Sequence, residues 1–569
     1  VVGKFDFRYH GKIPSKYIKL WNQISYKTHK PFSGFIDSIS RQHAKSIHWW
    51  VSSPASRNTF TSPLFHYCCC ISLLQELILK KEIVSEIIVD SKAFKKIIED
   101  YLAKEGRIAR VTFARVPVKQ RLKNLVRPIY MIFSLPLKQL RLFFAAKLTR
   151  SLRKPLPTEP LTLIDTFIYS SNTDDRHYTG ITDVLTEGER KTVYFMPLFH
   201  KPVNLLLLFR KLRTDRNNFL LKEDFLKIRD YFLGWQYLWH LYRKKISPCF
   251  FSGVDISSLV REEFRSFKSV SSSYISLLNY RFVKRLRQTD IKIRFFLNWF
   301  ENQAVDKVLN AGFNQFYPGI PSIGYQGFIV TPHYLCIYPT IIEKENNVIP
   351  KEVAVIGRGL INLARKFCPD LNVSVAPAFR FQGIWENRKY YPEDHIFTIM
   401  IALPLTLDIG DEILKLLERY LKKKDLAGVR FRIKQHPDNT PEMIKKQFAS
   451  LWPEQFKFVN GDFNDCVEKS NLLVSTGSSS CMHTLAKGIP VIIVGSQSGL
   501  THNPIPPGIE QDLWQLCYSV DELSYAIDFY MHRDGETLYQ HEMIGEKIRN
   551  EYFEPVTRDA VRKFFKFVD

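Results

Sequence analysis

Short apolar runs alternate with amphipathic stretches along most of this chain. In the first half, "IHWWVSS" predicts a strand, "SPLFHYCCCISLLQELILKK" a helix, "EIIVDS" a strand and "KAFKKIIEDYLAK" a helix. The alternation resumes at "LTLIDTFIYSS" (Leu161–Ser171) and "KTVYFMPLF" (Lys191–Phe199). A helix-rich region spans Leu205 to Arg287, and "NFLLKEDFLKIRDYFLGWQYLWHLYRKK" is its clearest amphipathic piece. "IKIRFFLNWF" and "SIGYQGFIV" are further strand-like runs. Strands that alternate with helices pair in parallel and are covered on both faces.

A second unit is expected from about residue 346. Its predicted strands are "EVAVIG", "NVSVAP", "IFTIMIALPL", "VRFRIKQ", "FKFVNG", "NLLVSTG" and "VIIVG". Between them lie helices such as "IGDEILKLLERYLKKK" and "TPEMIKKQFASLW". The fold class is therefore α/β, with a domain over 1–345 and a doubly wound, Rossmann-like domain over 346–569. Two such domains facing each other leave a cleft for a ligand.

Composition sharpens this picture in two places. The net charge of +24 calls for a polyanionic partner, and the charge is uneven. From Lys104 to Lys154, fourteen Lys/Arg face one acid, Glu105. Inside this stretch, apolar blocks Ile129–Leu137 and Leu142–Ala146 are interrupted or flanked by Arg127, Lys138, Arg141, Lys147 and Arg150. Both blocks are too short to span a bilayer, and Pro128 and Pro136 break a long helix. The pattern predicts a basic helical pair, inserted at about 119–154, that lies on an anionic membrane surface. The rival is a core helix pair with solvated cations. No zinc finger, RNA-recognition signature or basic zipper accompanies the charge, so no nucleic-acid partner is expected. The nine cysteines show neither CxxC spacing nor a disulfide framework, which fits a reduced cytosolic compartment. No signal-peptide pattern or transmembrane run is present.

Candidate chemistry gathers where strands end. "IKQHPDNTP" (Ile433–Pro441) places Lys434 two residues before His436, and Pro437 holds His436 extended. A histidine there can donate to a phosphate oxygen. "STGSSS" follows the strand "NLLV"; Ser475, Gly477, Ser478, Ser479 and Ser480 offer hydroxyls and open backbone N–H groups at a helix start. "GSQSGLTHNPIPPG" (Gly495–Gly508) is a loop able to close over a base or sugar. "VIGRG" (Gly357, Gly359) is only half of a dinucleotide fingerprint and is discounted.

The "K-x-HP" turn followed by "S-T-G-S-S-S" and "A-K-G-I-P-V" resembles the HP and Ser motifs of bacterial transferases that use CMP-activated sugars. These are the sialyltransferases and the Kdo transferases of capsule and O-antigen synthesis. "WWVSSPASRNTFTSPLF", "FFLNWFENQAVDKVL" and "GYQGFIVTPHYL" look like segments of surface-carbohydrate biosynthesis proteins of such nonulosonate pathways. The resemblance implies a GT-B-like fold, in which His436 and Ser478, Ser479 and Ser480 hold the CMP phosphate. The chain departs from the sialyltransferase pattern at the catalytic base, because no clear acidic pair followed by Gly occurs in the N-terminal half.

Glycosyl transfer requires a base for the acceptor hydroxyl, or a carboxylate nucleophile if configuration is retained. Glu301 in "NWFENQ" ends an aromatic run, where an acid is costly unless paired or functional; otherwise it caps the following helix. Asp174 and Asp175 in "YSSNTDDRHYTG" follow another strand, as a catalytic pair or a plain turn. His200 and His333 are further strand-end candidates, and Arg380 in "APAFRFQG" is placed to pair with a donor carboxylate. No metal and no cofactor are expected, since a single donor phosphate is served by His and backbone donors. The sequence thus points to a peripheral glycosyltransferase at the cytoplasmic face of the bacterial inner membrane. It would move Kdo or a related nonulosonic acid from CMP to a lipid-linked surface glycan, such as O-antigen or capsule. The alternatives are a UDP- or GDP-sugar transferase of the same fold, or a non-catalytic glycan- or membrane-binding assembly protein.

Overall fold

The computed structural model describes residues 3–114, 118–169, 177–200, 202–243, 246–386, 396–423, 428–448 and 450–567. Three parallel sheets and one small hairpin organise it. The N-terminal sheet holds β1 (Gly3–Asp6), β2 (Val84–Val89) and β3 (Arg110–Phe113). The first large sheet starts with β4 (Leu161–Tyr169), β5 (Val193–His200) and β6 (Asn218–Phe219). The hairpin β7 (Phe250–Phe251) and β8 (Val254–Asp255) intervenes. The same sheet continues with β9 (Ile293–Trp299), β10 (Ser322–Gln326), β11 (Glu352–Val355) and β12 (Val373–Val375). The second large sheet contains β13 (Phe397–Ala402), β14 (Val429–Lys434), β15 (Phe456–Phe458), β16 (Leu472–Ser475), β17 (Val491–Val494) and β18 (Trp514–Cys517).

The two large sheets share one topology. The second runs β15-β14-β13-β16-β17-β18, and the first runs β12-β11-β10-β9-β4-β5-β6. Each starts in the middle, winds outward to one side, then returns to wind to the other. This is the doubly wound order, and its crevice opens where the winding reverses, at β13/β16 and at β4/β9. The α/β, GT-B-like expectation of two Rossmann-like units holds.

Three sequence expectations change. The boundary at 345/346 falls inside the first unit, because β11 pairs with β10 and β12 with β11. Buried parallel strands read as uniform apolar runs, so their pattern does not say which sheet they join. The C-terminus also returns to the first unit: Glu554 N donates to Ile356 O at 2.6 Å, and the Phe564 ring lies 5.7 Å from that of Tyr325. Gly357 serves this return, since a Cβ there would lie 2.1 Å from the Tyr552 backbone. "IHWWVSS" is helical, Ile47–Trp50 followed by Ser53–Ser56. The Trp49 indole donates to Ser40 Oγ at 3.0 Å, and Pro54 stands in the first turn of the second helix, so tertiary packing overrides strand propensity.

The basic insertion is one helix, Val118–Leu148, running through both prolines rather than breaking at them. Met131, Leu135, Leu142, Phe143 and Ala146 are buried against neighbouring helices, and this packing carries the helix past the lost backbone donors. Its other face leaves Val126, Tyr130, Phe133, Leu137, Phe144 and Leu148 exposed. Among the described residues, no helix is long and apolar enough to cross a membrane.

A buried charged knot fastens the N-terminal unit to the first large sheet. Glu343 accepts from Arg57 at 3.0 Å, from Lys307 at 2.8 Å and from Asn302 at 2.8 Å. All nine cysteines are buried and free.

Candidate active site

In the second unit, β16 delivers Ser475 to the reversal point. The Ser475 hydroxyl donates to Ala402 O at 2.7 Å, tying the ends of β16 and β13 together. The chain then turns through Gly477 at φ +61°, and Gly477 N donates to His502 O at 2.7 Å. The Thr476 hydroxyl reaches the same oxygen at 3.0 Å. Ser478 and Ser480 meet at 2.8 Å between hydroxyls, and a six-residue helix, Ser480–Leu485, follows. The Ser479 side chain makes no capping hydrogen bond; Ser478 Oγ instead accepts from Ser480 N at 3.3 Å.

The HP turn ends β14, on the other side of β13. Asp438 N donates to His436 Nδ1 at 3.2 Å. An accepting Nδ1 leaves the ring proton on Nε2, which makes the outer nitrogen the donor. Lys434 donates its ammonium to Gly461 O, bracing the end of β14 against the turn after β15. The Ser and HP turns therefore flank the end of β13.

In the first unit, Glu301 lies two residues past β9, at that sheet's own reversal point. Its carboxylate accepts from Trp299 Nε1 at 3.1 Å, from Tyr334 OH at 2.8 Å and from Gln303 Nε2. Capping of the helix Ala304–Phe316 falls to Asp306 instead, which accepts from Gln303 N at 2.9 Å and from Glu301 N at 3.2 Å. Burial, with the Glu301 charge adding to it, pushes the Asp306 carboxyl up to about 7. Asn298 extends this network to Asp165, at 2.6 Å, in the middle of β4. Arg380 sits on the first unit's wall, past β12, with its guanidinium 5.9 Å from the Trp299 ring. Asp174 and Asp175 lie outside the described residues.

The two halves meet through aromatic rings. His502, whose backbone oxygen holds the Ser turn, has its ring 5.2 Å from Phe60. Phe60 lies 5.2 Å from Tyr334, and Tyr334 donates to Glu301. Beside them His333 bonds His29 at 2.9 Å; burial and the nearby Lys366 charge lower the His29 pKa, and burial with the neighbouring His502 and His29 imidazoles lowers that of His333, so both rings favour the neutral form. His200 ends β5. Sequence reasoning named Glu301, the Ser turn, the HP turn and His333 as candidates. It missed Asp306 and Tyr334, and it marked the loop of His502 without the residue. An acid three residues into a helix was the available signal for Asp306.

Among the described residues, no group of three or more His, Cys, Asp or Glu is arranged to hold a metal ion. No protein-family model matches the chain, and no curated protein is similar to it in sequence. Solved structures give weak likenesses. The MnaA–UDP structure from S. aureus is 11% identical, with a TM-score of 0.43, covering 72% of this chain and 98% of that one. UDP-GlcNAc 2-epimerase from Neisseria meningitidis, bound to UDP-GlcNAc, is 12% identical at 0.39, covering 72% and 99%. MurG from Acinetobacter baumannii is 10% identical at 0.37, covering 72% and 100%. The fold assignment rests on the strand order itself.

Proposed function

We propose that this protein transfers a sugar from a nucleotide-activated donor, with the donor on the second unit and the acceptor on the first. One observation carries the reading: both sheets reverse their winding at the residues that bear the chemistry, the Ser turn in one and Glu301 in the other, and a chain of contacts joins them. In this reading Ser478, Ser479, Ser480 and His436 hold the donor phosphate, with Ser475, Gly477, Lys434 and Pro437 shaping the turns. Glu301 takes the acceptor hydroxyl proton as the acceptor oxygen bonds to the sugar, while the sugar–phosphate bond breaks and the nucleotide leaves with its electron pair. If configuration is retained, Glu301 is instead the nucleophile. Arg380 faces a carboxylate on the donor sugar.

The motif resemblance makes CMP-Kdo or another CMP-nonulosonate the first donor, delivered to a lipid-linked surface glycan. A UDP- or GDP-sugar is the second reading. Lys434 already spends a hydrogen bond on Gly461, so the HP turn offers no evident pair of cations for a diphosphate, and the resemblance keeps CMP first. The exposed face of the helix Val118–Leu148, with Arg127, Lys138, Arg141, Lys147 and Arg150 all exposed around it, is read as the contact with an anionic membrane surface at the cytoplasmic side. The test is a transfer assay with CMP-Kdo and UDP-GlcNAc as donors and bacterial membrane extract as acceptor. Incorporation of either sugar that is lost in Glu301→Gln supports the reading; incorporation of neither, or equal incorporation by Glu301→Gln, overturns it.

A further inference from the structure

A cavity of about 450 Å³ opens in the first unit beside Gln303, next to Glu301. Its walls come from the end of β5, the helix Val118–Leu148, the start of the helix Phe267–Gln288, and Gln303, the residue that donates to Glu301. Its lining is rich in polar groups. Ser269, Ser271, Ser272 and Ser276 stand on the first turns of a 22-residue helix, joined by Lys222 and His200. A helix of that length presents a positive N-terminal end.

Two side chains are more telling than the helix end. Lys222 is 7% exposed, and its described hydrogen bond goes to a neutral partner, Asn279 Oδ1, at 3.0 Å. Ser276 is fully buried, and its hydroxyl has no partner among the described residues. The neighbouring carboxyl, Glu223, is also buried and forms no hydrogen bond to Lys222; burial raises its pKa and lowers that of Lys222, while the attraction between the two opposes both shifts. A buried lysine whose hydrogen bond goes to a neutral amide and a buried hydroxyl without a partner among the described residues are both costly unless a ligand completes them.

We propose that this cavity binds an anionic phosphate group of the acceptor, between Lys222, Ser276 and the serine-rich helix start, leaving the acceptor's sugar to face Gln303 and Glu301. The proposal rests on the transferase reading and adds the acceptor's class: a phosphorylated glycan carrier. A soluble sugar phosphate and a lipid-borne phosphate share this chemistry.

Calorimetric titration of the full chain tests it with glucose 1-phosphate in buffer and dodecyl phosphate in zwitterionic micelles. The wild-type protein binds at least one probe, and Lys222→Gln and Ser276→Ala each weaken that binding, the first by at least tenfold. Binding of glucose 1-phosphate points to a soluble acceptor, and binding of the micellar probe alone to a lipid-borne one. No binding of either probe overturns the proposal, as does binding unchanged in both variants. Ser276→Ala removes one hydroxyl and keeps the test valid if Lys222→Gln does not fold. The same variants are titrated with CMP and UDP: Lys222-dependent phosphate binding without any nucleotide binding would sink the transferase reading and leave the phosphate site standing.

Discussion

Glu301 is held by three donors, two on Oε2 and one on Oε1, so Oε1 keeps room for an incoming hydroxyl proton. Glu301→Gln preserves shape and removes the base; turnover is expected to fall about 10²–10⁴-fold, while nucleotide binding, measured by titration, stays within about threefold. Asp306 makes a separate prediction. Its carboxyl ionises at about 7 in the folded chain, against 3.8 for the unperturbed group. Between those values the folded state keeps a proton that the unfolded state has lost, so this group's contribution falls as pH rises from about 4 to 7. Urea midpoints of the wild type and Asp306→Asn, compared at pH 4.5 and 7, should show the variant gaining relative to the wild type at the higher pH. Glu301 was legible because a carboxylate ending an aromatic run demands a reason. Tyr334 was not, since it reaches Glu301 across 33 positions of sequence.

The Ser turn depends on one backbone conformation. Gly477 holds φ +61°, and a Cβ there would stand 3.0 Å from His502 Cβ. Gly477→Ala should therefore cost about 1–2 kcal/mol in chemical denaturation and reduce nucleotide stabilisation by shifting Ser478. At this scale the sequence was readable where hydrophobic period and small residues agreed, as at β16 and its turn. It misled at "IHWWVSS", where aromatic and β-branched residues look strand-forming but bury their rings as helix. It misled again at Pro128 and Pro136, where contacts from distant helices maintain what local chemistry argues against. Sheet membership of β11 and β12 was also hidden, because uniform apolar runs fit either sheet.

Across the molecule, the basic helix has one face in the core and one outside, so the core reading of its sequence describes one side, and the proposed membrane contact belongs to the other. Neighbouring exposed side chains, Leu206 and Leu207 on the helix Leu205–Thr214 and Phe232 on the helix Ile228–Arg243, add further apolar surface outside the insertion. Flotation with anionic liposomes should retain the wild type. Changing Lys138, Arg141 and Lys147 together to Glu should release most of it, with the wild-type binding weakening as salt rises; unchanged binding would refute the membrane contact. The central claim remains the nucleotide site at the reversal point of the second sheet. Calorimetric titration with CMP, UDP and GDP, on the wild type and on a variant with Ser478, Ser479 and Ser480 all changed to Ala, tests it most directly. The account predicts that CMP binds most tightly and that the variant loses at least tenfold in affinity; binding of none of the three, or equal binding by the variant, would contradict it.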